Sequence, residues 1–309
     1  MDKKSVLKSG MVAIVGRPNV GKSTLLNAIL GEKVSIVSDV PQTTRYQIRG
    51  IHTDERGQIV FIDTPGIHAG RDKLDKYMDR ASLGSIDSVD AVIHMVDASE
   101  KTGLEEKHVI SRLHKCGKPI IVGLNKIDIT KGKFVPEYIQ LWEEVRGVPI
   151  SEMKDLILLP LSALKGTNVK KLIDLLFEQM PQGPFLYPED TITDFPKRMA
   201  MADLIREKLF LLMREEIPHS IAVIIEGVQP KRGKVLHIRA AILVERESQK
   251  EIVIGKAGAI LKQVGSEARK DLEELVDSKV FLELFVKARS NWREDYSMLE
   301  DMGFVFSDL

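Results

Sequence analysis

The chain has 309 residues, and its 45 basic and 45 acidic side chains give a formal net charge of zero, so bulk charge indicates neither a polyanionic nor a membrane partner. Its 43% hydrophobic content suits a soluble protein, and the length favours two domains. A single cysteine, Cys116, excludes an internal disulfide and fits a reducing cytoplasm. The charged start lacks the apolar region of a signal peptide, and no apolar run approaches the length of a membrane span.

The first half of the chain alternates short apolar runs with helical patterns. A predicted hairpin over 47–63 turns at Glu55–Gly57 and adds one antiparallel edge strand. Strand–helix alternation of this kind predicts an α/β domain over 1–180, with a mostly parallel sheet and helices on both faces. The predicted strands cover 11–16, 58–64, 91–99, 118–128 and 156–164, and the predicted helices cover 21–30, 71–84, 104–116, 137–146 and 168–179.

A proline-rich segment, 181–197, is predicted to be a linker. The pattern beyond it changes and predicts a smaller α+β domain over 198–309. Its predicted elements are a helix at 198–216, strands at 220–228, 234–246 and 250–255, a helix at 258–277, a strand at 280–289 and a short helix from Trp292.

The segment Gly16–Ser23 matches G-x-x-x-x-G-K-[ST] in every fixed position, between a predicted strand and a predicted helix. Glycines at these positions let the backbone wrap a phosphate chain so that its N–H groups point inward, and the helix start adds partial positive charge. We expect Lys22 to reach the β- and γ-phosphates of a nucleotide and Ser23 to ligate Mg²⁺.

The sequence "NKID" follows an apolar strand and predicts the base that is bound. The Asp128 carboxylate can accept hydrogen bonds from N1–H and the 2-amino group of guanine, whereas adenine offers neither donor. Lys126 can lie over the base plane, and Asn125 can tie this loop to the phosphate loop. In "SAL" (162–164), at the end of the last predicted strand, a backbone N–H can meet the guanine O6.

Asp63–Gly66, "DTPG", ends another predicted strand. Asp63 can hold Mg²⁺ through water, and the Gly66 N–H can reach a γ-phosphate. Between this strand and the phosphate loop, a threonine can ligate Mg²⁺ when a γ-phosphate is present. Thr43 and Thr44 are both candidates for that role.

These motifs together resemble the small GTPases of the translation-factor-related branch, and the "TTR" sequence is similar to that of bacterial ribosome-assembly GTPases. The resemblance implies binding of GTP and GDP, and it favours Thr44 over Thr43. The catalytic residues that it implies are Lys22, Thr44, Gly66 and Asn19. The implied Mg²⁺ ligands are Ser23, Thr44 and Asp63. The implied GTP-binding residues are Gly16, Asn19, Val20, Gly21, Lys22, Ser23, Thr24, Asp63, Thr64, Pro65, Gly66, Asn125, Lys126, Asp128, Ser162, Ala163 and Leu164.

Ile67 stands where Ras-like proteins carry a glutamine that orients water. Isoleucine cannot polarise water, so we expect slow intrinsic hydrolysis that responds to a partner. Asn19 matches an asparagine that helps relatives place a potassium ion, which can offset charge in the transition state. His68 is an alternative water-orienting residue, although an exposed loop residue is the more ordinary interpretation.

Gly255–Gly258, "GKAG", lies between two predicted elements in the manner of the GxxG loop of a KH domain, which clamps a nucleic-acid backbone. Acidic and basic residues nearly balance over 198–309, but positive charge is concentrated locally, which suits single-stranded RNA. The candidate RNA-binding residues are Gly255, Lys256, Ala257, Gly258, Lys231, Arg232 and Lys234.

A GTPase domain followed by one KH domain resembles the Era family across essentially the whole chain. The resemblance implies maturation of the small ribosomal subunit, with the KH domain on the single-stranded 3′ end of its ribosomal RNA. It also implies a cytoplasmic monomer with peripheral association at the inner face of the cell membrane. An RNA-binding scaffold that uses GTP as a structural ligand is the alternative. A tandem GTPase would carry a second set of these motifs, and a tRNA-modification GTPase would carry a cysteine near its C-terminus. This sequence has one motif set, and its single cysteine is Cys116.

Overall fold

The computed structural model describes residues 6–40, 43–66, 72–213, 220–231 and 234–304. Three residues named above, Ile67, His68 and Arg232, lie outside these ranges. The chain divides into two compact units. The first comprises Met1–Ser35, Thr44–Arg71 and Asp75–Asp194, and the second comprises Ile36–Thr43, Asp72–Leu74 and Phe195–Leu309.

Six strands form the sheet of the first unit: β1 (Lys8–Val15), β2 (Ile48–Asp54), β3 (Gly57–Asp63), β4 (Ala91–Asp97), β5 (Ile120–Asn125) and β6 (Leu156–Pro160). Their order is β2-β3-β1-β4-β5-β6. Only the β2–β3 pair is antiparallel among the described pairs, and the other four are parallel. Every residue of β3 and β4 is buried, as expected for strands covered on both faces.

The helices of the first unit are α1 (Lys22–Leu30), α2 (Lys73–Asp87), α3 (Leu104–Leu113), α4 (Ile127–Thr130), α5 (Val135–Arg146) and α6 (Val169–Gln179). Apolar residues of α3 and α5, among them Val109 and Trp142, pack with β4 and β5 in one core cluster. The parallel strands all end at one edge of the sheet, where ligands of such folds bind. That edge therefore gathers the loops that carry the sequence motifs.

Residues 181–194, within the segment predicted as a linker, belong to the first unit. The backbone N–H of Ser9 donates to a carbonyl of this segment over 3.0 Å, and that of Ile51 does so over 2.8 Å. The Gln58 side chain accepts a 2.8 Å hydrogen bond from the N–H of Tyr187. The backbone carbonyl and N–H groups of residues 181–194 thus bond to β1, β2 and β3, and these bonds fix the segment along the sheet.

The second unit contains the strands β7 (Ala222–Lys231), β8 (Val235–Val244) and β9 (Lys279–Ala288), in that order. β7 and β8 are antiparallel, whereas β8 and β9 are parallel. The helices are α7 (Lys197–Leu212), α8 (Glu247–Ile254), α9 (Ala259–Val276) and α10 (Tyr296–Asp301). An α/β domain followed by a smaller α+β domain confirms the predicted fold class. In the part of the chain that the structure describes, no helix is long and apolar enough to cross a membrane.

The three-stranded sheet has one covered face and one outer face. Apolar residues of α7 and α9 pack with even-numbered residues of β8 and β9, such as Ile238 and Val280. Because side chains alternate along a strand, the odd-numbered residues lie on the other side. This outer face carries His237 and Arg239 of β8 and Phe281, Glu283 and Phe285 of β9.

The strand predicted over 250–255 is wrong, because these residues form the second half of α8 and its end. The Gln249 side chain accepts hydrogen bonds from the N–H groups of Glu245 and Arg246, at 3.0 and 2.9 Å, and so starts the helix. Val253 is the buried residue of α8, whereas Ile252 is half exposed. A single buried contact thus anchors an apolar run that resembles a strand in composition.

Candidate nucleotide-binding site and nucleic-acid interface

The phosphate loop (Gly16–Ser23) connects β1 to α1. Gly21 has a φ of 98°, and a Cβ atom there would lie 2.4 Å from Nδ2 of Asn125, so the position requires glycine. The Lys22 ammonium donates to the carbonyls of Gly16 and Arg17, at 3.1 and 2.8 Å. Burial lowers the pKa of Lys22 to about 8, and the carboxylates of Asp63 and Glu106 act against that shift. The loop therefore holds a buried amine where a phosphate is expected.

Four oxygen-bearing side chains meet at the end of this loop. The Ser23 hydroxyl donates to Oδ2 of Asp63 over 2.7 Å and lies 2.8 Å from Oγ1 of Thr44. Ser35 donates to the same Asp63 oxygen over 3.0 Å. Oδ1 of Asp63 is buried and has no hydrogen-bond partner within the described ranges. An unpaired carboxylate oxygen together with the hydroxyls of Ser23 and Thr44 is a set of hard oxygen donors that fits Mg²⁺.

Electrostatics at Asp63 are consistent with a site for a cation. Burial raises the pKa of this carboxyl, while the hydrogen bond from Ser23 and the charge of Lys22 act to lower it. Removing a carboxylate from water is costly unless positive charge compensates it.

Thr43 and Thr44 point to different partners. Oγ1 of Thr43 lies 2.6 Å from Oγ of Ser38, and its carbonyl accepts a 2.8 Å hydrogen bond from Arg206 of α7. Thr43 and these partners belong to the second unit, whereas Thr44 belongs to the first. Of the two threonines, Thr44 is therefore the one that the structure brings to Ser23.

The loop Asp63–Gly66 follows β3 and approaches the phosphate loop closely. The Thr64 hydroxyl donates to the carbonyl of Ile14 over 2.8 Å, which fixes the loop to β1. A Cβ atom on Gly66 would lie 2.8 Å from the backbone nitrogen of Pro18. Glycine at this position therefore permits the close approach of the two loops.

Asn125 joins two loops at the end of β5. Its Nδ2 donates to the carbonyl of Val20 over 2.7 Å, and its Oδ1 accepts from the N–H of Ala163 over 2.9 Å. Asp128 lies exposed in α4, and Leu164 is 75% exposed. The phosphate loop and the predicted base loops are thus positioned by one amide side chain.

Asp97, at the end of β4, is a residue of this site that the motif search missed. Its Oδ2 lies 2.6 Å from Nζ of Lys126. Ser99 donates to the other carboxylate oxygen through both its N–H and its hydroxyl. These partners outweigh the effect of burial and hold the pKa of Asp97 below its usual value. The position of Asp97, an acidic residue at the carboxyl end of a predicted parallel strand, is the sequence feature that could have indicated it.

Arg17 is a second missed residue, in a variable position of the phosphate-loop motif. Its Nε donates to Oε2 of Glu106 in α3 over 2.6 Å, and its Nη2 donates to the hydroxyl of Tyr138 over 3.2 Å. Oε1 of Glu106 lies 2.8 Å from Nε2 of His94, and both of these side chains are fully buried. A buried ion pair therefore holds the loop against α3.

The second unit contains a groove beside the GxxG loop. Gly255 ends α8, Lys256–Gly258 form one 3₁₀ turn, and α9 starts directly after it. A cavity of about 550 Å³ lies between α9 and β9. It is lined by Gly258, Leu261, Lys262, Gly265, Ser266 and Arg269 from the GxxG–α9 side, and by Phe281, Leu282 and Leu284 from β9.

The predicted RNA-binding residues do not all lie at this groove. Gly255–Gly258 are at its α9 end. Lys231, at the end of β7, is not among the lining residues, although its Nζ lies 4.2 Å from the centre of the Phe281 ring. Lys234 is exposed in the turn between β7 and β8, and its carbonyl accepts a hydrogen bond from Ser278. The basic cluster of the sequence is therefore centred on the sheet.

Two protein-family models match the chain, one in each of its two units. Residues 11–126 match a family described as 50S ribosome-binding GTPase, and residues 216–293 match the KH domain. The first match contains the phosphate loop, and the second contains the GxxG loop.

Full-length relatives extend the match to the whole chain. GTPase Era of Geobacter metallireducens is 46% identical over 299 residues, which cover 96% of this chain and 98% of that protein. GTPase Era of Halothermothrix orenii is 43% identical over 297 residues, with the same coverage.

Two solved structures are similar over nearly the whole chain. A variant of Aquifex aeolicus Era bound to GDP and AlF₄⁻ is 39% identical with a TM-score of 0.88, and the match covers 97% of this chain and 100% of that one. Era in complex with MgGDPNP and nucleotides 1506–1542 of 16S ribosomal RNA is 39% identical with a TM-score of 0.89, over 97% and 99% of the two chains. These matches confirm the family resemblance: the chain belongs to the Era family of GTPases, which carry a KH domain.

Proposed function

We propose that this chain is a GTP-hydrolysing switch that binds the 3′ end of small-subunit ribosomal RNA and assists maturation of the small ribosomal subunit. The observation that carries the proposal is the meeting of Ser23, Thr44 and Asp63 beside Lys22 in the phosphate loop. A switch needs a group that senses the γ-phosphate, and a threonine next to the magnesium-binding serine provides one.

Ser23, Thr44 and Asp63 would hold Mg²⁺, with Asp63 acting through water. The unpaired, buried Oδ1 of Asp63 supports this assignment. The relative whose structure contains MgGDPNP supports it as well. Once bound, the ion supplies positive charge that neutralises the β- and γ-phosphates.

Lys22, Thr44, Gly66 and Asn19 are the proposed catalytic residues. Lys22 compensates phosphate charge, the Gly66 N–H donates to the γ-phosphate, and Asn19 helps to hold a potassium ion. Asn19 has a left-handed backbone, with a φ of 61°. This conformation suits asparagine better than most other residues. The remaining residues of the predicted GTP set bind through the phosphate-loop backbone and the guanine loops.

The guanine end is proposed to use Asp128 for the base edge and a backbone N–H of 162–164 for the guanine O6; the Ala163 N–H itself donates to Asn125. Asn125 supports this proposal because it joins the N–H of Ala163 to the phosphate loop at hydrogen-bond distances. The Lys126 stem would lie along the base while its ammonium stays with Asp97. Each contact would then be positioned before the nucleotide arrives.

The small subunit is preferred over the large one as the partner. The match to the family described as 50S ribosome-binding GTPase covers only residues 11–126, and so only part of the GTPase unit. The relative bound to 16S ribosomal RNA covers nearly the whole chain, including the KH unit. RNA contacts are proposed at Gly255–Gly258 with Lys231, Arg232 and Lys234. The cytoplasmic location, the peripheral membrane association and the monomeric state stay predictions.

Phosphate release from GTP under multiple turnover tests the GTPase proposal. Thr44→Ala is expected to slow turnover at least about tenfold, because the γ-phosphate loses its sensing group. Thr43→Ala is the matched control, since that hydroxyl bonds to Ser38 instead. Equal loss in both variants would contradict the assignment of Thr44. Tight GTP binding without any turnover would favour the scaffold alternative.

A further inference from the structure

We propose that the outer face of the β7-β8-β9 sheet is a second contact surface for single-stranded RNA, which receives the part of the strand that extends beyond the GxxG groove. This inference rests on the proposed RNA binding of the second unit and adds a surface on the other side of the sheet from α7 and α9.

Two exposed aromatic rings mark this surface. Phe281 is 48% exposed and Phe285 is 39% exposed, on the same side of β9. Four residues of strand place them about 13 Å apart. Unpaired bases stack readily on exposed aromatic rings, so two rings on one sheet face offer two stacking positions along a single strand of RNA.

Each ring lies beside a cation. Nζ of Lys231 is 4.2 Å from the centre of Phe281, and the Arg239 guanidinium carbon is 5.4 Å from the centre of Phe285. The Arg239 side chain is 53% exposed, and its nearest carboxylate contact, with Glu283, is long at 3.9 Å. A ring with an adjacent mobile cation offers both a stacking surface for a base and a charge for its phosphate.

The carboxylates of this face have cationic or imidazole partners. Glu283 pairs with His237, and Glu226 pairs with Lys287. Their negative charge is therefore partly neutralised within the sheet, which leaves Lys231 and Arg239 as the cations beside the rings. The positive charge beside the rings thus favours a polyanion over an uncharged apolar partner.

The outer face is continuous with the groove through β9. Phe281 lines the groove and also contacts His237 on the outer face, with ring centres 5.2 Å apart. A GxxG loop clamps about four nucleotides, so a longer strand must leave the groove. A strand that leaves at Phe281 reaches Phe285 and Arg239 next.

The test compares two single-stranded RNAs that end at the 3′ terminus of the small-subunit ribosomal RNA, of about five and about fifteen nucleotides. The full-length protein is expected to bind the longer RNA at least about tenfold more tightly. Phe285→Ala combined with Arg239→Ala should remove most of that gain and leave the affinity for the short RNA unchanged. Photocrosslinking should reach Phe285 with the long RNA and not with the short one.

Tyr296→Ala is the matched control, because Tyr296 is a 46% exposed aromatic residue of α10, outside the sheet. It should bind both RNAs as the wild type does. In addition, Arg239→Ala alone should lower the salt dependence of long-RNA binding by about 0.7 in log–log slope. Melting temperatures of all variants report whether the fold is intact.

Three outcomes would overturn the inference. If the double variant binds both RNAs as the wild type does, this face is excluded from RNA binding. If that variant also loses binding to small ribosomal subunits, the face would instead contact a protein. Equal loss for both RNAs would place the effect in the groove. If the wild type binds neither RNA, the proposed RNA function fails first and this inference fails with it.

Discussion

Glu106 of α3 accepts a 2.6 Å hydrogen bond from Nε of Arg17, and the Arg17 carbonyl accepts a 2.8 Å hydrogen bond from Lys22. The side chain of Glu106 is fully buried, and that of Arg17 is 15% exposed. A carboxylate in the core therefore fixes the loop residue whose carbonyl holds the phosphate-binding lysine. His94 and Tyr138 complete the network from β4 and α5.

We predict that Glu106→Gln raises the KM for GTP about tenfold with a smaller change in kcat, because the loop loses its orientation in the ground state and the transition state alike. In an Arg17→Met background, Glu106→Gln should have little further effect on GTP affinity. Steady-state kinetics and nucleotide titrations of the four proteins measure this coupling.

Asp155→Asn is the control, since it removes a carboxylate from a more exposed pair with Arg146 at 2.6 Å. It should leave the KM unchanged. Additive effects of the Arg17 and Glu106 substitutions would show that Glu106 does not act through Arg17.

The motif residues could be predicted because their chemistry depends on local spacing. Gly16–Ser23 and Asn125–Asp128 are short segments in which each residue type serves one contact. Glu106 and Asp97 could not be predicted in this way, because their cationic partners, Arg17 and Lys126, lie far along the chain and meet them only when the strands align. Long-range register brings such groups together, and local periodicity does not report it.

Errors in the predicted fold have the same origin. The apolar residues at 250–255 fit a strand by composition, yet Gln249 caps a helix there and only Val253 needs burial. Prolines at 181–197 are typical of a linker, although residues 181–194 hydrogen-bond to β1, β2 and β3. The parallel sheet and its antiparallel edge were predictable, since buried strands and hairpin turns have strong local signals.

Asp128→Asn is predicted to change base preference from guanine toward xanthine nucleotides. The amide can donate to the carbonyl that xanthine has where guanine has its amino group. The lost charged contact should cost about 2–3 kcal/mol of GTP binding. Competition binding with GTP and XTP measures the change. Unchanged GTP affinity would remove Asp128 from the base pocket.

Replacement of potassium by sodium is predicted to slow GTP turnover while GTP affinity stays nearly constant. The proposed potassium ion at Asn19 offsets charge that develops only in the transition state, so its loss affects kcat. Asn19→Ala should show the slow rate in both salts. Equal wild-type rates in the two salts would contradict this role.

Lys22→Ala is the contrasting variant for that experiment. It removes the buried ammonium from the phosphate loop and should weaken both GTP binding and turnover in either salt. A variant that keeps wild-type affinity would contradict the proposed contact with the phosphates.

We expect the nucleotide at the Ser23–Thr44–Asp63 cluster to control RNA binding at the GxxG loop. RNA affinity measured with a non-hydrolysable GTP analogue, with GDP and without nucleotide tests it most directly. Gly258→Asp is compared with Gly258→Asn as its matched control. At a φ of 75° the two side chains have the same shape, and only aspartate repels phosphate. We predict about 5- to 150-fold tighter RNA binding with the analogue than with GDP, lost in Gly258→Asp. Three equal affinities would show that GTP and RNA bind independently, and would rule out control of RNA binding by the nucleotide.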